Sequence, residues 1–163
     1  FMNKFQILSG DIETSVKIIN EVGKWCIETN KNMWDLGELT IESLSKNLKS
    51  DNFIHGEINK IPVAAMILQW CDPIFWPDIN FGESGFIHKL CINPNYSGQG
   101  LSRLMINYAK SECIKRQINY LRLDTGWERL KLRNMYEQMG FINVSKHRVG
   151  TKDYALYEML IDL

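Results

Sequence analysis

The apolar residues of this chain change period along its length, and this change limits the possible folds more than any other feature. Three runs in the middle, Phe53 to Ile58, Val63 to Trp70 and Gly85 to Ile92, are rich in β-branched and aromatic residues and are bounded by turn residues. Outside them the spacing of apolar residues is helical, most clearly from Leu101 to Cys113. Strands placed between helices predict a mixed α/β fold with a central sheet.

The remaining segments give the element order β-α-α-β-β-β-α-β-α-β-β. Phe5 to Leu8 predicts a first strand, and Asp11 is the expected N-cap of the helix after it. A shorter helix is expected from Thr40 to Lys49. The last third is expected to contain a strand at Tyr120 to Leu123, a helix closed by Gly140, and strands at Phe141 to Val144 and Ala155 to Ile161.

Length and composition fit one domain. The chain has 163 residues, of which 45% are hydrophobic and 23% charged, and neither a linker nor a repeat interrupts it. We therefore expect a single domain over residues 1–163. Phe1 precedes Met2, where translation normally begins, so we expect Phe1 to be an addition to the natural chain.

Charge and cysteine content argue against several classes of partner. The 19 Lys and Arg balance the 19 Asp and Glu, so no net field favours nucleic acid or an anionic membrane. No run of 18 apolar residues predicts a membrane span. The four cysteines are far apart and form no CxxC pair, so we expect free thiols, no metal site and a cytoplasmic location.

A junction of strand, loop and helix is the first candidate for chemistry. The loop Ser97-Gly98-Gln99-Gly100-Leu101-Ser102 joins the third apolar run to the strongest helix. Backbone N–H groups at such a junction, together with the helix dipole, suit a pyrophosphate. The pattern GxxxxGK[ST] is absent, and Arg103 stands where a GxGxxG motif needs its third glycine. Taken alone, the loop also fits an ordinary turn.

The second candidate is segment 130–141, which reads LKLRNMYEQMGF. Tyr136 lies within the apolar stripe of the predicted helix, so its hydroxyl needs a polar partner if the ring is buried. Taken alone, Tyr136 fits a core tyrosine better than a catalytic one.

Together these segments resemble the GNAT superfamily of N-acetyltransferases. Residues 88–94, HKLCINP, followed by SGQGLS, resemble the family's fourth strand and acetyl-CoA pyrophosphate loop. Residues 121–141, LRLDTGWERLKLRNMYEQMGF, resemble its fifth strand and the next helix. The resemblance implies a GNAT-type acyl-CoA N-acyltransferase fold, with a twisted, mostly antiparallel sheet, splayed fourth and fifth strands, and helices on both faces.

The implied activity is transfer of an acetyl group from acetyl-CoA, as co-substrate, to a primary amine by direct attack. Backbone groups of Leu90, Cys91 and Ile92 would contact the pantetheine and the acetyl carbonyl, and backbone N–H groups of residues 98–102 would bind the pyrophosphate. Tyr136 would protonate the leaving thiolate, because a phenol with a reference pKa of about 10 stays protonated at pH 7. A thiol nucleophile at Cys91 is disfavoured, since a buried cysteine usually packs as a small hydrophobe.

Three positions depart from the family pattern. Ser97 and Ser102 stand where the family loop usually begins with Arg or Gln and ends with Gly or Ala. Arg129 stands where the family usually has an Asn that touches the cofactor, although an arginine could reach a phosphate instead. These departures leave a second interpretation open, a non-catalytic acyl-CoA-binding or regulatory module with the same fold.

An amine acceptor also needs a general base, because an alkylamine with a pKa of about 10.4 is almost fully protonated at pH 7. Phe86 occupies the position where many relatives have an acidic residue. His88 is the expected base, because an arylalkylamine-acetylating branch has a histidine here and imidazole titrates near neutrality. A histidine hydrogen-bonded within the sheet fits equally well. Asp124 could orient a substrate amine, but a cap on the turn into Gly126 is the favoured interpretation.

The acceptor site of this fold lies near the first helices and the loop before the fourth strand. There we expect contacts from Trp34, Trp70, Trp76 and Glu83. The sequence does not distinguish a small-molecule amine from a peptide amine. It leaves both a monomer and a homodimer open.

Overall fold

A computed structural model describes residues 4–31 and 33–162. The prediction about Phe1 lies outside these residues. Seven strands are present: β1 (Phe5–Ser9), β2 (Phe53–Ile58), β3 (Ile61–Gln69), β4 (Gly85–Ile92), β5 (Tyr120–Gly126), β6 (Ile142–Val149) and β7 (Lys152–Leu160). The helices are α1 (Ile12–Glu28), α2 (Ile41–Leu44), α3 (Leu101–Lys115) and α4 (Leu130–Gln138).

The strands form one sheet in the order β1-β2-β3-β4-β5-β7-β6. Pairing is antiparallel for β1/β2, β2/β3, β5/β7 and β6/β7. The pair β4/β5 is parallel, with a register of three residue pairs from Gly85↔Leu121 to Ile87↔Leu123. β4 and β5 therefore pair only near their first residues, which agrees with the predicted splay of the fourth and fifth strands. The predicted mixed α/β fold class, with helices flanking a mostly antiparallel sheet, is confirmed.

The chain folds as two compact units. Among the described residues, the first comprises 4–31, 33–68 and 89–108. Its core forms where α1, with Asp11 as N-cap accepting a hydrogen bond from the Thr14 N–H, buries Val16, Ile19, Val22 and Cys26. Phe53, Ala65, Ile67 and Cys91 complete this core from the strands. One face of α1 therefore holds the helix to the sheet, as its apolar spacing predicts.

The second unit comprises residues 69–88 and 109–162 of the described chain. Phe86, Leu121 and Tyr157 are fully buried in it, and Cys113 of α3 packs beside Gly85. A Cβ at Gly85 would lie 2.7 Å from the Cys113 Sγ, so this strand position requires a glycine.

Several element ends differ from the prediction. The helix expected to reach Lys49 ends at Leu44, because the Ser45 hydroxyl donates to the Ile41 carbonyl and Asn47 adopts a φ of +62°. β5 continues past Leu123 to Gly126, where its backbone pairs with β7. Within the described residues, none of the helices is both long and apolar enough for a bilayer crossing.

Candidate active site

The glycine loop is open at its centre and fixed at both ends. On one side the Ser97 N–H donates to the Pro94 carbonyl, and on the other the buried Leu101 begins α3. Gly98 and Gly100 have φ values of +78° and +75°, and nothing lies within 4 Å of a Cβ built at either. Left-handed backbone of this kind is readily adopted only by glycine.

This loop fits a pyrophosphate. The Leu104 N–H donates to the Gly100 carbonyl, and the first N–H groups of an α-helix have no partner within the helix. They carry the positive end of the dipole of a 15-residue helix. No acidic residue occurs in 97–103, and residues 97–100 are exposed. Acetyl-CoA would therefore meet backbone donors and a favourable field here.

The end of β4 carries the residues expected to contact pantetheine. Leu90 and Ile92 are half-buried, and Cys91 is buried. Burial raises the pKa of the Cys91 thiol well above its usual value. A thiol kept protonated in this way is a poor nucleophile, which agrees with direct attack.

β4 bends just before these residues. Lys89 has a φ of +55°, a left-handed conformation that is uncommon for a residue with a side chain. Its ammonium lies 5.3 Å above the ring of Trp34, one of the residues predicted to contact the acceptor. One face of Trp34 is therefore already covered by a cation.

His88 lies between two carboxylates. Its Nε2 is 3.3 Å from the Asp72 Oδ2, and its Nδ1 is 3.7 Å from the Asp124 Oδ1. The His88 side chain is 21% exposed, whereas those of Asp72 and Asp124 are 5% and 15% exposed. The imidazole is thus reachable from solvent and backed by buried negative charge.

Asp72 is fixed by the loop that precedes β4. Its Oδ1 accepts hydrogen bonds from the backbone N–H groups of Ile74 and Phe75, both at 3.1 Å. Burial alone would raise the pKa of Asp72, but His88 and these two N–H groups outweigh it, and the pKa lies below its ordinary value. Asp72 is therefore a carboxylate at neutral pH.

The expected role of Asp124 as a turn cap is wrong. Asp124 lies inside β5, where its backbone pairs with Leu156 of β7, and its side chain faces His88. Ligand-capable atoms of Asp72, His88 and Asp124 lie within 4.8 Å of one another. Each imidazole nitrogen faces a different carboxylate, however, and this suits one ring bonded at both nitrogens better than a single metal centre.

Tyr136 is buried on α4, at 7% exposure. Its ring meets Phe141 edge-on at a centroid distance of 5.8 Å, and the ring of Tyr157 lies at 6.3 Å. The Tyr157 hydroxyl donates to Glu137 at 3.1 Å and accepts from the Arg133 Nε at 2.9 Å. These bonds tie α4 to β7 and so fix the helix that carries Tyr136.

The other residues predicted near the acceptor have structural contacts. Trp70 stacks under the Arg116 guanidinium at 4.2 Å, and Glu83 accepts hydrogen bonds from the backbone and side chain of Asn80. Trp76 lies between Phe86 and Arg122, at 6.3 and 5.1 Å. Its buried Nε1–H has no hydrogen-bond acceptor among the described residues. The indole N–H of Trp76 is therefore a donor that no protein group in the described residues uses.

Arg129 lies at the start of α4 as its N-cap residue, half-buried, with its backbone N–H donating to the Gly126 carbonyl. Its Cγ is 3.0 Å from where a Cβ of Gly126 would stand, so the arginine stem packs on the end of β5.

Sequence reasoning missed Asp72. The segment Asp72-Pro73 indicates a turn, and the Asp72 carboxylate does stabilise one. Its second role, facing His88, depends on a contact sixteen positions along the chain that no local pattern reveals. A search for acidic residues in the loop before the strand would have found Asp72 as a candidate.

Comparison with known proteins identifies the class of protein that this fold defines. The structure resembles a GNAT-family acetyltransferase from Listeria monocytogenes 4b F2365, with a TM-score of 0.76, 17% identity and 99% coverage of both chains. It also resembles yncA, a putative acetyltransferase of Salmonella typhimurium solved with its cofactor acetyl-CoA, with a TM-score of 0.66, 13% identity and coverage of 98% and 95%. The fold is that of the GNAT acetyltransferases.

The sequence places the chain within that class. Residues 21–141 match the acetyltransferase (GNAT) family, and the chain belongs to it. It is 22% identical over 155 residues to the uncharacterized N-acetyltransferase YesJ of Bacillus subtilis (strain 168), covering 91% of this chain and 84% of that protein. The resemblance seen in the two sequence segments is therefore confirmed.

Proposed function

We propose that this chain transfers the acetyl group of acetyl-CoA to a primary amine by direct attack, with Tyr136 as general acid and His88 as general base. The observation that carries the proposal is the family match over residues 21–141, which includes both the glycine loop and Tyr136. The Salmonella relative was solved with acetyl-CoA, which supports the same donor here.

The division of roles follows from the chemistry of each group. Backbone N–H groups of residues 98–102 would bind the pyrophosphate, with Ser97 and Ser102 adding hydroxyl donors and Arg129 a charge, and Leu90 to Ile92 would lie along the pantetheine. When bound, acetyl-CoA supplies the electrophilic carbonyl carbon and a thiolate leaving group. Tyr136 donates its hydroxyl proton to that sulfur. His88 accepts a proton from the amine nitrogen.

A general base is needed because a protonated amine has no lone pair with which to attack the acetyl group. An alkylamine with a pKa of about 10.4 is neutral at pH 7 only about once in a few thousand molecules. His88 meets the requirements, since it is partly exposed and negative charge lies on both sides of its ring.

We propose an acceptor that is cationic and partly apolar in solution, either a small amine or a peptide amine. The carboxylates near His88 attract an ammonium. None of the four cysteines is in a disulfide, which favours a reducing compartment and agrees with a cytoplasmic enzyme.

The test is release of CoA thiol from acetyl-CoA across a panel of arylalkylamines, polyamines, amino sugars and short peptides. Calorimetry measures acetyl-CoA binding on the same sample. Binding together with turnover on one amine class is expected. Binding without turnover on any class would favour the non-catalytic module, and absence of binding would contradict the assignment of the glycine loop.

A further inference from the structure

The two carboxylates around His88 compete for one proton. A neutral imidazole has a single N–H donor, and its other nitrogen is an acceptor. Here Nε2 faces Asp72 and Nδ1 faces Asp124. The nitrogen that carries the hydrogen therefore decides which one remains basic.

Asp72 has the stronger requirement for a donor. The residue is 4% exposed, and two backbone N–H groups hold its Oδ1 in place. The carbonyl of Asp72 also accepts from the Trp76 N–H at 2.9 Å, so backbone and side chain are both restrained. Its buried Oδ2 has no hydrogen-bond donor among the described residues other than the His88 Nε2 at 3.3 Å. Leaving such an oxygen without a donor is costly.

The contact of His88 with Asp124 is looser. Its Oδ1 lies 3.7 Å from the His88 Nδ1, which is too far for a direct hydrogen bond and suits a bridging N–H or O–H group. The position of Asp124 is set by the sheet, because β5 pairs with β7 at this residue. An amine or water entering there would meet a lone pair on Nδ1 beside a carboxylate.

We propose that Asp72 is a positioning residue that holds His88 as the Nε2–H tautomer, so that Nδ1 is the nitrogen that accepts the proton of the amine. The inference rests on the proposed role of His88 as general base. The new N–C bond forms as the amine N–H proton moves to Nδ1, directly or through one water. The C–S bond breaks, and the sulfur takes the Tyr136 proton. His88 and Tyr136 then restore their protonation through solvent.

The decisive variant is Asp72→Asn. Its amide oxygen still accepts from the N–H groups of Ile74 and Phe75, while its NH₂ group faces Nε2 and favours the opposite tautomer. Asp78→Asn, an exposed carboxylate of the same loop, is the matched control.

The readout that needs no activity is long-range ¹H–¹⁵N correlation spectroscopy of the histidine side chains at a pH where they are neutral. The chain has three histidines, and the signals of His88 are those absent from His88→Gln. We expect the Nε2–H form in the wild type and Asp78→Asn, and the Nδ1–H form in Asp72→Asn. An Nδ1–H wild type, or an Nε2–H form retained in Asp72→Asn, would overturn the inference. The wild-type measurement decides even if the variant fails to fold.

Kinetics separates this inference from the proposed function. For Asp72→Asn we expect kcat to fall about 100-fold or more with the KM for acetyl-CoA unchanged, as for loss of a general base. Full turnover by His88→Gln would contradict the base role itself and the Nδ1 step with it. An inactive His88→Gln together with an Nδ1–H wild type would overturn only the tautomer assignment.

Discussion

The hydroxyl of Tyr136 can be removed without disturbing its ring. We expect Tyr136→Phe to lower kcat roughly 10²- to 10⁴-fold, because the proposed proton donor is lost, and to leave the Kd for acetyl-CoA within about twofold. The rings of Phe141 and Tyr157 still pack against the phenyl group. Steady-state kinetics and calorimetry on the same variant give both values.

Tyr120→Phe is the control for this change, since it also loses one hydroxyl and keeps its ring under the Arg122 guanidinium at 4.4 Å. Unchanged turnover in Tyr136→Phe would remove the acid role. An equal loss in Tyr120→Phe would show that the effect is not specific to the site.

The cysteines are expected to differ in reactivity because they differ in burial. Burial raises the pKa of Cys113 to about 11 and that of Cys91 further, so neither is a thiolate at neutral pH. We expect iodoacetamide at pH 8 to label the half-buried Cys71 first, with Cys91 and Cys113 modified only on unfolding. Peptide mass spectrometry over time measures this order. Rapid labelling of Cys91 in the folded protein would reopen a thiol nucleophile.

At the scale of elements, close packing at the start of β4 depends on Gly85, which has no side chain. The Cβ of Gly85→Ala would lie 2.7 Å from the Cys113 Sγ and 3.3 Å from side-chain atoms of Leu121 and Trp70. We expect the variant to lose about 1–3 kcal/mol of unfolding free energy, which lowers Tm by several degrees. Chemical denaturation measures the loss.

Gly37→Ala is the matched control, because its Cβ would be 3.4 Å from the nearest atom, an ordinary contact. Adding Cys113→Ala to Gly85→Ala removes the closest collision and should restore part of the stability. Additive losses in that double variant would contradict the packing explanation.

The loop before α3 makes a different prediction. Gly98→Ala forces a left-handed φ on alanine, at a cost of roughly 1–2 kcal/mol. We expect the free loop of the variant to relax to a right-handed conformation. Binding must then restore the strained one, so acetyl-CoA affinity should fall about 5- to 30-fold. Gly150→Ala carries the same strain at a φ of +62° between β6 and β7 and should leave affinity unchanged. Calorimetric titration compares the two, and equal affinities would contradict the role of the loop.

The sequence predicts elements well where local signals coincide with tertiary ones. β2 and β4 begin and end at the predicted residues, because apolar runs there meet turn residues at both ends. The sequence predicts an end of β6 at Val144, but the strand extends through the polar residues 145–148, which pair with β7 at the end of the strand order. Polar residues at an exposed edge carry no strand periodicity, so pairing alone extends the strand.

In the candidate site, too, local sequence signals predict some residues, and tertiary contacts determine others. The glycine loop and Tyr136 stand in contiguous segments, and the sequence alone points to both. The contacts of His88 could not be predicted from the sequence, because Asp72 and Asp124 approach it from separate parts of the chain. Asp124 in particular has the sequence context of a turn residue, whereas β5 continues through it.

At the scale of the whole molecule, several titrating groups set the pH range of stability. The pKa values of Asp11, Asp72 and Glu112 lie below their ordinary values in the fold. Their contribution is complete above the unfolded pKa of about 4 and is lost as pH falls through the folded values. The raised pKa values of Cys91 and Cys113 act oppositely, and stability declines as pH rises above about 8.5.

We therefore expect Tm to be nearly constant between about pH 5 and 8 and to fall on either side. Differential scanning calorimetry at fixed ionic strength measures the profile. In Asp72→Asn the acid-side decline should be shallower, since one of the three carboxylates no longer titrates. A Tm that rises steadily as pH falls below 4 would contradict the assignment of these groups.

The two contacts of the Asp72 carboxylate have a consequence for how the loop before β4 can change through evolution. The carboxylate shapes the first residues of the loop with one oxygen and faces His88 with the other, so a mutation at 72–76 alters the turn and the imidazole together. Further along the loop the chain is exposed, and the exposed fraction of Phe81 is 76%. On the proposed role of His88, changes at 77–82 would alter acceptor preference and leave proton transfer unchanged. A library randomised only at 77–82 should keep many active members, and one randomised at 72–76 few.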